Sequence, residues 1–512
     1  MPGVADFWAL IELYTYVLWV YVASYASEFW TYVALSVSGI WAYILPGVEP
    51  FIVYLSATII GLGVLQNLVY LFQLFLAYAE LRINTPLQMD SALWRLLKSD
   101  VTMPISLLVP AYNEETTIVD SVTSLMALHY PNFEIIVVND GSSDGTLAKM
   151  LEAFDLKPTS RSFPESVSHK PIRGLYASPR YPKLFVVDKA NGGKSDALNA
   201  GINLSRFPLF CTIDADSILE ADALLRAVQP FVDDPKVVAV GGTIRIANGC
   251  RIHAGAVTEI ALPRQILPLF QTVEYLRAFL IARLAWSRLK TLLIISGAFG
   301  VFKRQIVVEV GGYSHGTVGE DIEIIVKIHR HMRETKTEYR MHFLPEPVCW
   351  TEAPTTLRAL GRQRSRWQRG ALETFFKHKR MALNPRYGVV GLLGFGNSLL
   401  VDVLGPPLEV LGLIMLPIFW SLGLLSATYV AAFYSLSFVF GVFISVGSLF
   451  LEELELRRYP RARDLIILTL AAVAENFGYR QMNNLWRIRG YWQFLTGAKS
   501  WGHMTRAGFS KT

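Results

Sequence analysis

The chain has 512 residues, 52% of them hydrophobic and only 18% charged, with a mean hydropathy of +0.34. Soluble proteins carry about 25% charged residues, so a uniform water-soluble globule is excluded, and the aliphatic and aromatic content excludes disorder and collagen-like sequence. The net charge of +6 gives no ground for a nucleic-acid partner, and none is expected.

The charge is unevenly spread. Residues 29–80 hold only Glu49 and Glu80 as acids and no Lys or Arg, and residues 389–450 hold only Asp402 and Glu409. Spanning a bilayer takes about 20 apolar residues, so the pattern predicts a membrane protein with a soluble insert. From the N-terminus, residues 9–23 form a weak span interrupted by Glu12, rich in the aromatics that favour an interface. Residues 30–45 are a second candidate ending at Pro46-Gly47. Residues 51–78 are the clearest, with a cytoplasmic exit at Arg82. The start of the chain lacks the basic region and small-residue site of a cleavable signal peptide.

The middle region, 85–385, alternates strands at 105–111, 134–139, 184–188, 209–214 and 237–244 with helical patterns such as 116–128 and 194–204. That alternation predicts a mostly parallel sheet covered on both faces, with ligands beyond the carboxyl ends of its strands. Residues 155–182 hold five prolines and read as a long loop. Past the insert, residues 388–404 are interrupted by Asp402 and then Pro406-Pro407, which ends or kinks a helix. Two spans follow at 408–425 and 428–449. Residues 464–474 meet Glu475-Asn476 too soon for a simple crossing. Four to six crossings are expected at about 20 residues each. Basic groups at Lys377, Lys379, Arg380 and Arg386 and at Arg457, Arg458, Arg461 and Arg463 place the insert in the cytoplasm. The three dispersed cysteines, Cys211, Cys250 and Cys349, read as reduced core thiols.

Polar clusters close the predicted strands. Pro110-Ala-Tyr112-Asn-Glu114 ends the first, and Asn139-Asp140-Gly-Ser-Ser-Asp144-Gly-Thr ends the second. Both suit a strand-to-helix turn, and both suit a nucleoside pocket in which Asp140 accepts from a base or ribose. Gly192-Gly-Lys194-Ser-Asp196 lets backbone approach a ligand closely and puts Lys194 where a phosphate meets a helix start. Its spacing is not that of a P-loop. Asp214-Ala-Asp216 closes an apolar strand, and period-two alternation puts both carboxylates on one face. A divalent metal shared with a diphosphate relieves their repulsion; the alternative is a solvated turn. Glu320-Asp321 opens the amphipathic stretch 322–332, where acids complement a helix dipole and a carboxylate can also deprotonate a hydroxyl. Gln363, Arg366 and Trp367 share one face of a basic helix, suited to anionic lipid and equally to a sugar and a phosphate.

Taken in order, NDGSSDGT, GGKSDALN, DAD, GED and QRSRW make the region from about Ile105 to Gly370 resemble the processive family-2 membrane glycosyltransferases, the cellulose, hyaluronan, chitin and poly-N-acetylglucosamine synthases. The resemblance implies an α/β cytosolic GT-A-type domain inserted between N- and C-terminal transmembrane helices, with amphipathic interface helices. It divides the chain into membrane or interfacial helices (1–84), the glycosyltransferase domain (85–385), transmembrane or re-entrant helices (386–482) and a cytosolic tail (483–512). By similarity, Tyr112, Glu114, Asp140, Lys194, Asp214, Gln363 and Arg366 would bind the nucleotide sugar. Asp214 and Asp216 would hold Mg2+ or Mn2+, Asp321 would be the general base beside Glu320, and Ser296, Gly297 and Trp367 would face the acceptor. Trp501 and Arg506 resemble the gating segment of hyaluronan synthases, with two extra residues between them, and no cyclic-dinucleotide module is evident. The implied reaction polymerises a UDP-sugar, with UDP-glucose and UDP-N-acetylglucosamine favoured, into an exported β-linked polysaccharide. The partners would be the donor, the growing chain, membrane lipid and an unidentified export or regulatory protein. The alternatives are single addition to a lipid-linked sugar and a noncatalytic scaffold.

Overall fold

The computed structural model describes residues 50–83, 102–253, 255–456, 458–459 and 461–497, with Ser24 and Glu28. Residues 9–23 and 30–45 and the tail segment from Trp501 to Arg506 lie outside them. The chain divides into two compact units, residues 1–61 with 412–431 and residues 62–411 with 432–512. The described part of the first is mostly apolar helix.

The second unit is built on a ten-stranded mixed sheet. Its strands are β1 (Ile105–Ala111), β2 (Phe133–Asn139), β3 (Lys157–Pro158), β4 (Ile172–Ala177), β5 (Leu184–Lys189), β6 (Leu209–Thr212), β7 (Ser217–Leu219), β8 (Val237–Ile246), β11 (Gly300–Lys303) and β12 (Arg340–Thr351). A separate hairpin pairs β9 (Arg251–His253) with β10 (Ala256–Glu259). The sheet runs β3-β4-β5-β2-β1-β6-β11-β8-β12-β7. Within it β5, β2, β1 and β6 are parallel, with Ile105 opposite Phe133 on one side and Leu209 on the other. Their apolar runs are buried almost throughout, as strands covered on both faces require. The chain steps outward from β1 to β2 and β5, then returns to the far side of β1 as β6. The order therefore reverses between β1 and β6, where a crevice opens past the carboxyl ends. This is the α/β domain with a parallel sheet core that the alternating strands and helices predicted.

Several elements differ from the sequence expectation. The stretch 155–182 is not one loop: it holds β3 and β4, antiparallel at the sheet edge. Pro171 and Pro179 flank β4, and an edge strand has a side where a missing N–H costs nothing. The fourth strand stops at Thr212, and Asp214-Ala215-Asp216 forms a turn closed by Ser217 N–H donating to the Asp214 carbonyl at 3.0 Å. Strand β12 carries Pro345 and Pro347, which hide it from periodicity, and its register shifts at Pro347, as a bulge permits.

Three described helices are long and apolar enough to cross a membrane, Pro50–Ile83, Val390–Ser421 and Ala427–Leu454. The second joins segments expected to separate at Pro406-Pro407. A π-helical stretch, Leu399–Leu404, precedes the prolines and widens the turn where their N–H groups are missing. Those absent donors leave the carbonyls one turn back, at Asp402 and Val403, without their helical partners. Gln368 Nε2 donates to the Asp402 carbonyl at 2.6 Å and Tyr491 Oη at 3.0 Å; Tyr491 Oη also reaches the Val403 carbonyl. Arg487 adds a bond to the Val401 carbonyl at 3.0 Å. The break is thus repaired from two other helices, Leu357–Lys377 and Tyr479–Leu495. The latter runs through the boundary placed at 482/483 and pairs Arg487 with Asp402 and Arg480 with Glu409. The short apolar helix Ala462–Ala474 packs Leu468 and Ala472 against Val273 and Leu276 of the helix Ile266–Leu276.

Candidate active site

Four loops meet past the carboxyl ends of the parallel strands. The turns after β1 and β2 are stitched together: Asn113 N–H donates to Ser142 Oγ at 3.0 Å, Ser143 N–H to Asn113 Oδ1 at 2.9 Å and Glu114 N–H to Thr146 Oγ1 at 2.9 Å. Asn113 pays for this with a positive φ of 56°, a conformation asparagine tolerates. Tyr112 stands exposed beside them. Glu114 turns inward, accepting from Thr117 Oγ1 at 2.9 Å.

Asp140 is buried and faces the protein's own backbone. Its carboxylate accepts from Lys189 Nζ at 2.6 Å, from Gly192 N–H at 3.0 Å and from Gly193 N–H at 2.7 Å. Lys189 has no exposed surface and also pairs with Asp196. Asp140 therefore fixes the glycine loop, and Gly193 is needed there because its φ is +90°. That loop launches the helix Lys194–Leu204 and delivers Lys194 to the crevice.

Lys194 is the centre of the site. Its Nζ lies 2.5 Å from Asp214 Oδ1 and 3.4 Å from Glu320 Oε1. Burial opposes its charge, but Asp214, Glu320 and Asp321 outweigh that and hold the ammonium above the ordinary lysine range. Burial holds Glu320 above the usual carboxylate range, with Lys194 and Arg366 pulling it back and Asp321 adding to the rise. Glu320 and Asp321 start the helix Glu320–Glu334; the first is buried, the second half-buried. Gly297 lies against Lys194, since a Cβ there would stand 2.7 Å from Nζ, and Ser296 lines the same small cavity. Asp214 and Asp216 are both half-buried on their turn, with Ala215 buried between them. The two acids thus sit on a turn and not at alternating strand positions. Hard carboxylate oxygens suit Mg2+ or Mn2+. Among the described residues no cluster of three or more His, Cys, Asp or Glu gathers, so substrate oxygens would have to complete such a site.

Gln363, Arg366 and Trp367 lie on the helix Leu357–Lys377. This helix touches the acid-bearing helix backbone to backbone, a Cβ on Gly370 falling 2.7 Å from the Gly319 Cα. Trp367 is 41% exposed, and Arg364 covers one of its faces with Cζ 4.3 Å from the ring centroid. Arg364 is itself held by Glu274 at 2.7 Å. Sequence reasoning missed Arg283, whose buried guanidinium burial brings down to about 10 against the opposing pull of Asp321 and Tyr275. Its Nη1 has no hydrogen-bond partner. The available sign was an arginine inside an apolar helix. The three cysteines are free and buried.

Residues 106–307 match the family described as Glycosyl transferase family 2, and residues 209–444 match Glycosyl transferase family group 2. A poly-β-1,6-N-acetyl-D-glucosamine synthase of Staphylococcus epidermidis is 30% identical over 273 residues, 53% of this chain and 56% of that protein. One from Staphylococcus aureus strain COL is 31% identical over 290 residues, 55% of this chain and 59% of that protein. The chain thus spans a little over half the length of the curated relatives it matches. A mannosyltransferase from Pyrobaculum calidifontis, solved with GDP-Man and Mn2+, aligns at 19% identity with a TM-score of 0.47, covering 83% of this chain and 98% of that one. The stretch that carries Lys194, Asp214 and Asp216 thus lies within the region that matches glycosyltransferase family 2.

Proposed function

We propose that this protein is a processive, inverting glycosyltransferase that polymerises N-acetylglucosamine from its UDP-linked donor into a β-linked polysaccharide. The observation that carries the reading is the convergence of Lys194, Asp214, Glu320 and Asp321, from three separate chain segments, on the carboxyl-end crevice. Relatedness to poly-β-1,6-N-acetyl-D-glucosamine synthases favours N-acetylglucosamine over glucose.

In this reading the turn carrying Tyr112 and Glu114 and the loop held by Asp140 frame the nucleoside. Lys194 and Arg366 stabilise charge on the departing diphosphate, with Gln363 beside them. A divalent cation held by Asp214 and Asp216 would supply further positive charge there. Asp321 takes the proton of the acceptor hydroxyl. The oxygen then bonds to the anomeric carbon from the face opposite the diphosphate, the bond to the diphosphate breaks, and UDP leaves. One displacement converts an α-linked donor into a β-linkage. Ser296 and Gly297 border the acceptor, and the open face of Trp367 stacks on its terminal sugar. The apolar helices would anchor a multi-pass protein with its catalytic domain in the cytoplasm and conduct the product outward.

The test is UDP release by the purified protein offered UDP-N-acetylglucosamine, UDP-glucose, UDP-galactose and UDP-glucuronate separately and in pairs, with Mg2+ or Mn2+. Release with UDP-N-acetylglucosamine alone, together with a high-mass product, is expected. Release only with a pair of donors, or a product one sugar longer than a lipid acceptor, overturns the proposal.

A further inference from the structure

Away from the crevice, a cavity of about 210 Å3 is lined by Arg330, Lys377, His378, Lys379 and Arg380, with Phe376 at its wall. Nothing in the transfer reaction uses it. Drug-sized ligands occupy pockets of about 300–1,000 Å3, so this one suits a headgroup and not a whole nucleotide. Its lining sets the basic side chains of Arg330, Lys377, Lys379 and Arg380 beside apolar Phe376 and Met381, and Arg330 pairs with Glu334 at 2.9 Å, an acid also bonded by Tyr387 Oη at 2.9 Å. Guanidinium and ammonium groups converging in this way recognise phosphate oxygens.

The position chooses the source of the phosphate. From Arg380 the chain passes through the 3₁₀ turns Lys379–Met381 and Pro385–Tyr387 straight into the apolar helix Val390–Ser421. Leu383, Val389, Leu392 and Leu393 are exposed along that path. A ligand with a phosphate at one end and acyl chains at the other matches a basic cavity beside bare apolar side chains. Basic pockets at the cytoplasmic end of membrane helices bind anionic headgroups in this manner.

The cavity also reaches the catalytic helix. Lys377 Nζ donates to Glu323 Oε1 at 2.6 Å and to Ser314 Oγ at 2.8 Å, and His378 Nε2 lies 3.3 Å from the same Glu323 oxygen. Glu323 is wholly buried on the helix that begins with Glu320 and Asp321. Its Oε2 has no hydrogen-bond partner, and neither has the buried Nδ1 of His378. Arg330 lies on that helix too. An anion in the cavity therefore touches the acid-bearing helix through Arg330 and competes with Glu323 for Lys377.

We propose that this cavity binds the phosphate of an anionic phospholipid headgroup and that its occupation positions the helix carrying Asp321. The proposal goes beyond the reaction assigned above, and its first readout does not depend on that reaction. The full-length protein is reconstituted in phosphatidylcholine vesicles with or without phosphatidylglycerol, beside the variant Lys379→Gln/Arg380→Gln, and lipid retained through delipidation is measured by native mass spectrometry. With each basic residue near a lipid surface contributing about 1 kcal/mol, phosphatidylglycerol retention falls about tenfold or more in the variant. Inorganic phosphate at matched concentration does not displace the lipid from the wild type. Equal retention by both proteins overturns the site, and displacement by inorganic phosphate overturns the lipid as its source. UDP release is the second readout: phosphatidylglycerol stimulates the wild type, while the variant keeps the basal rate and loses the stimulation. Stimulation of both proteins alike overturns the coupling. No turnover by either protein counts against the assigned reaction and leaves the retention result to decide the site.

Discussion

Lys194 sits among three carboxylates, and its removal has a consequence that a simple loss of binding would not. Burial already holds Glu320 above the ordinary glutamate range, and Lys194 is the strongest influence pulling it back. In Lys194→Met that pull is gone, so Glu320 titrates higher still. The acidic limb of the pH profile of kcat/KM should move to higher pH, in addition to a lower maximum. A profile of unchanged shape with only its height reduced would contradict a role for Lys194 in setting the charge of this cluster. Much of the cluster was legible beforehand, because Lys194, Asp214, Asp216 and Asp321 each follow an apolar strand or open a helix. The inward engagement of Asp140 was not, since nothing local says that Lys189, at the end of a β-rich run, turns its ammonium under the glycine loop. Arg283 was hidden for the same reason: its proximity to Asp321 is purely tertiary.

Among the elements, the helix Val390–Ser421 is the most instructive. Pro406-Pro407 marks a local fault, and of the two outcomes expected there, an end or a kink, the helix does not end, because two distant helices supply the missing donors. Tyr491→Phe removes the hydroxyl that reaches the Asp402 and Val403 carbonyls, and an orphaned buried carbonyl costs about 1–3 kcal/mol. The melting temperature should fall in the wild-type background. It should fall less in Pro407→Ala, where the restored N–H can take the Val403 carbonyl within the helix, the Asp402 carbonyl keeping its bond from Gln368. Equal losses in both backgrounds would show that Tyr491 acts elsewhere. The parallel strands β1, β2, β5 and β6 were legible within a few residues because strands buried on both faces read as continuous apolar runs. Strands β7, β11 and β12 were not. Short β7 and β11 carry three and four residues, too few for a period, while β12 is broken up by its prolines.

At the scale of the whole molecule, the sheet and the C-terminal helices of the second unit are joined by buried ion pairs. Arg245 on β8 pairs with Glu452 on the helix Ala427–Glu455, both nearly inaccessible. Arg277 reaches Glu475, and Ser445 donates to the same carboxylate at 2.6 Å. Glu274 receives Arg364 at 2.7 Å and Tyr479 at 2.8 Å. These bonds tie the sheet and the helices Leu357–Lys377 and Ile266–Leu276 to the C-terminal helices. Stranding one buried charge costs about 3–5 kcal/mol, whereas exchanging both partners for apolar side chains is close to neutral. Arg245→Met should therefore lower thermal stability sharply, and Arg245→Met/Glu452→Leu should recover most of the loss; additive losses would mean that each residue has separate partners. The apolar segments and basic flanks announced the membrane class of the chain, but no spacing in the sequence pairs residue 245 with residue 452.

The most direct test of the central claim is the mass of the product made from labelled UDP-N-acetylglucosamine by the wild type and by Asp321→Asn side by side, with UDP binding measured on both. The account predicts a high-mass polymer from the wild type, and in the variant UDP binding within about threefold and transfer reduced by at least about a hundredfold. Polymer of normal yield from Asp321→Asn, or a single added sugar from the wild type, would contradict it.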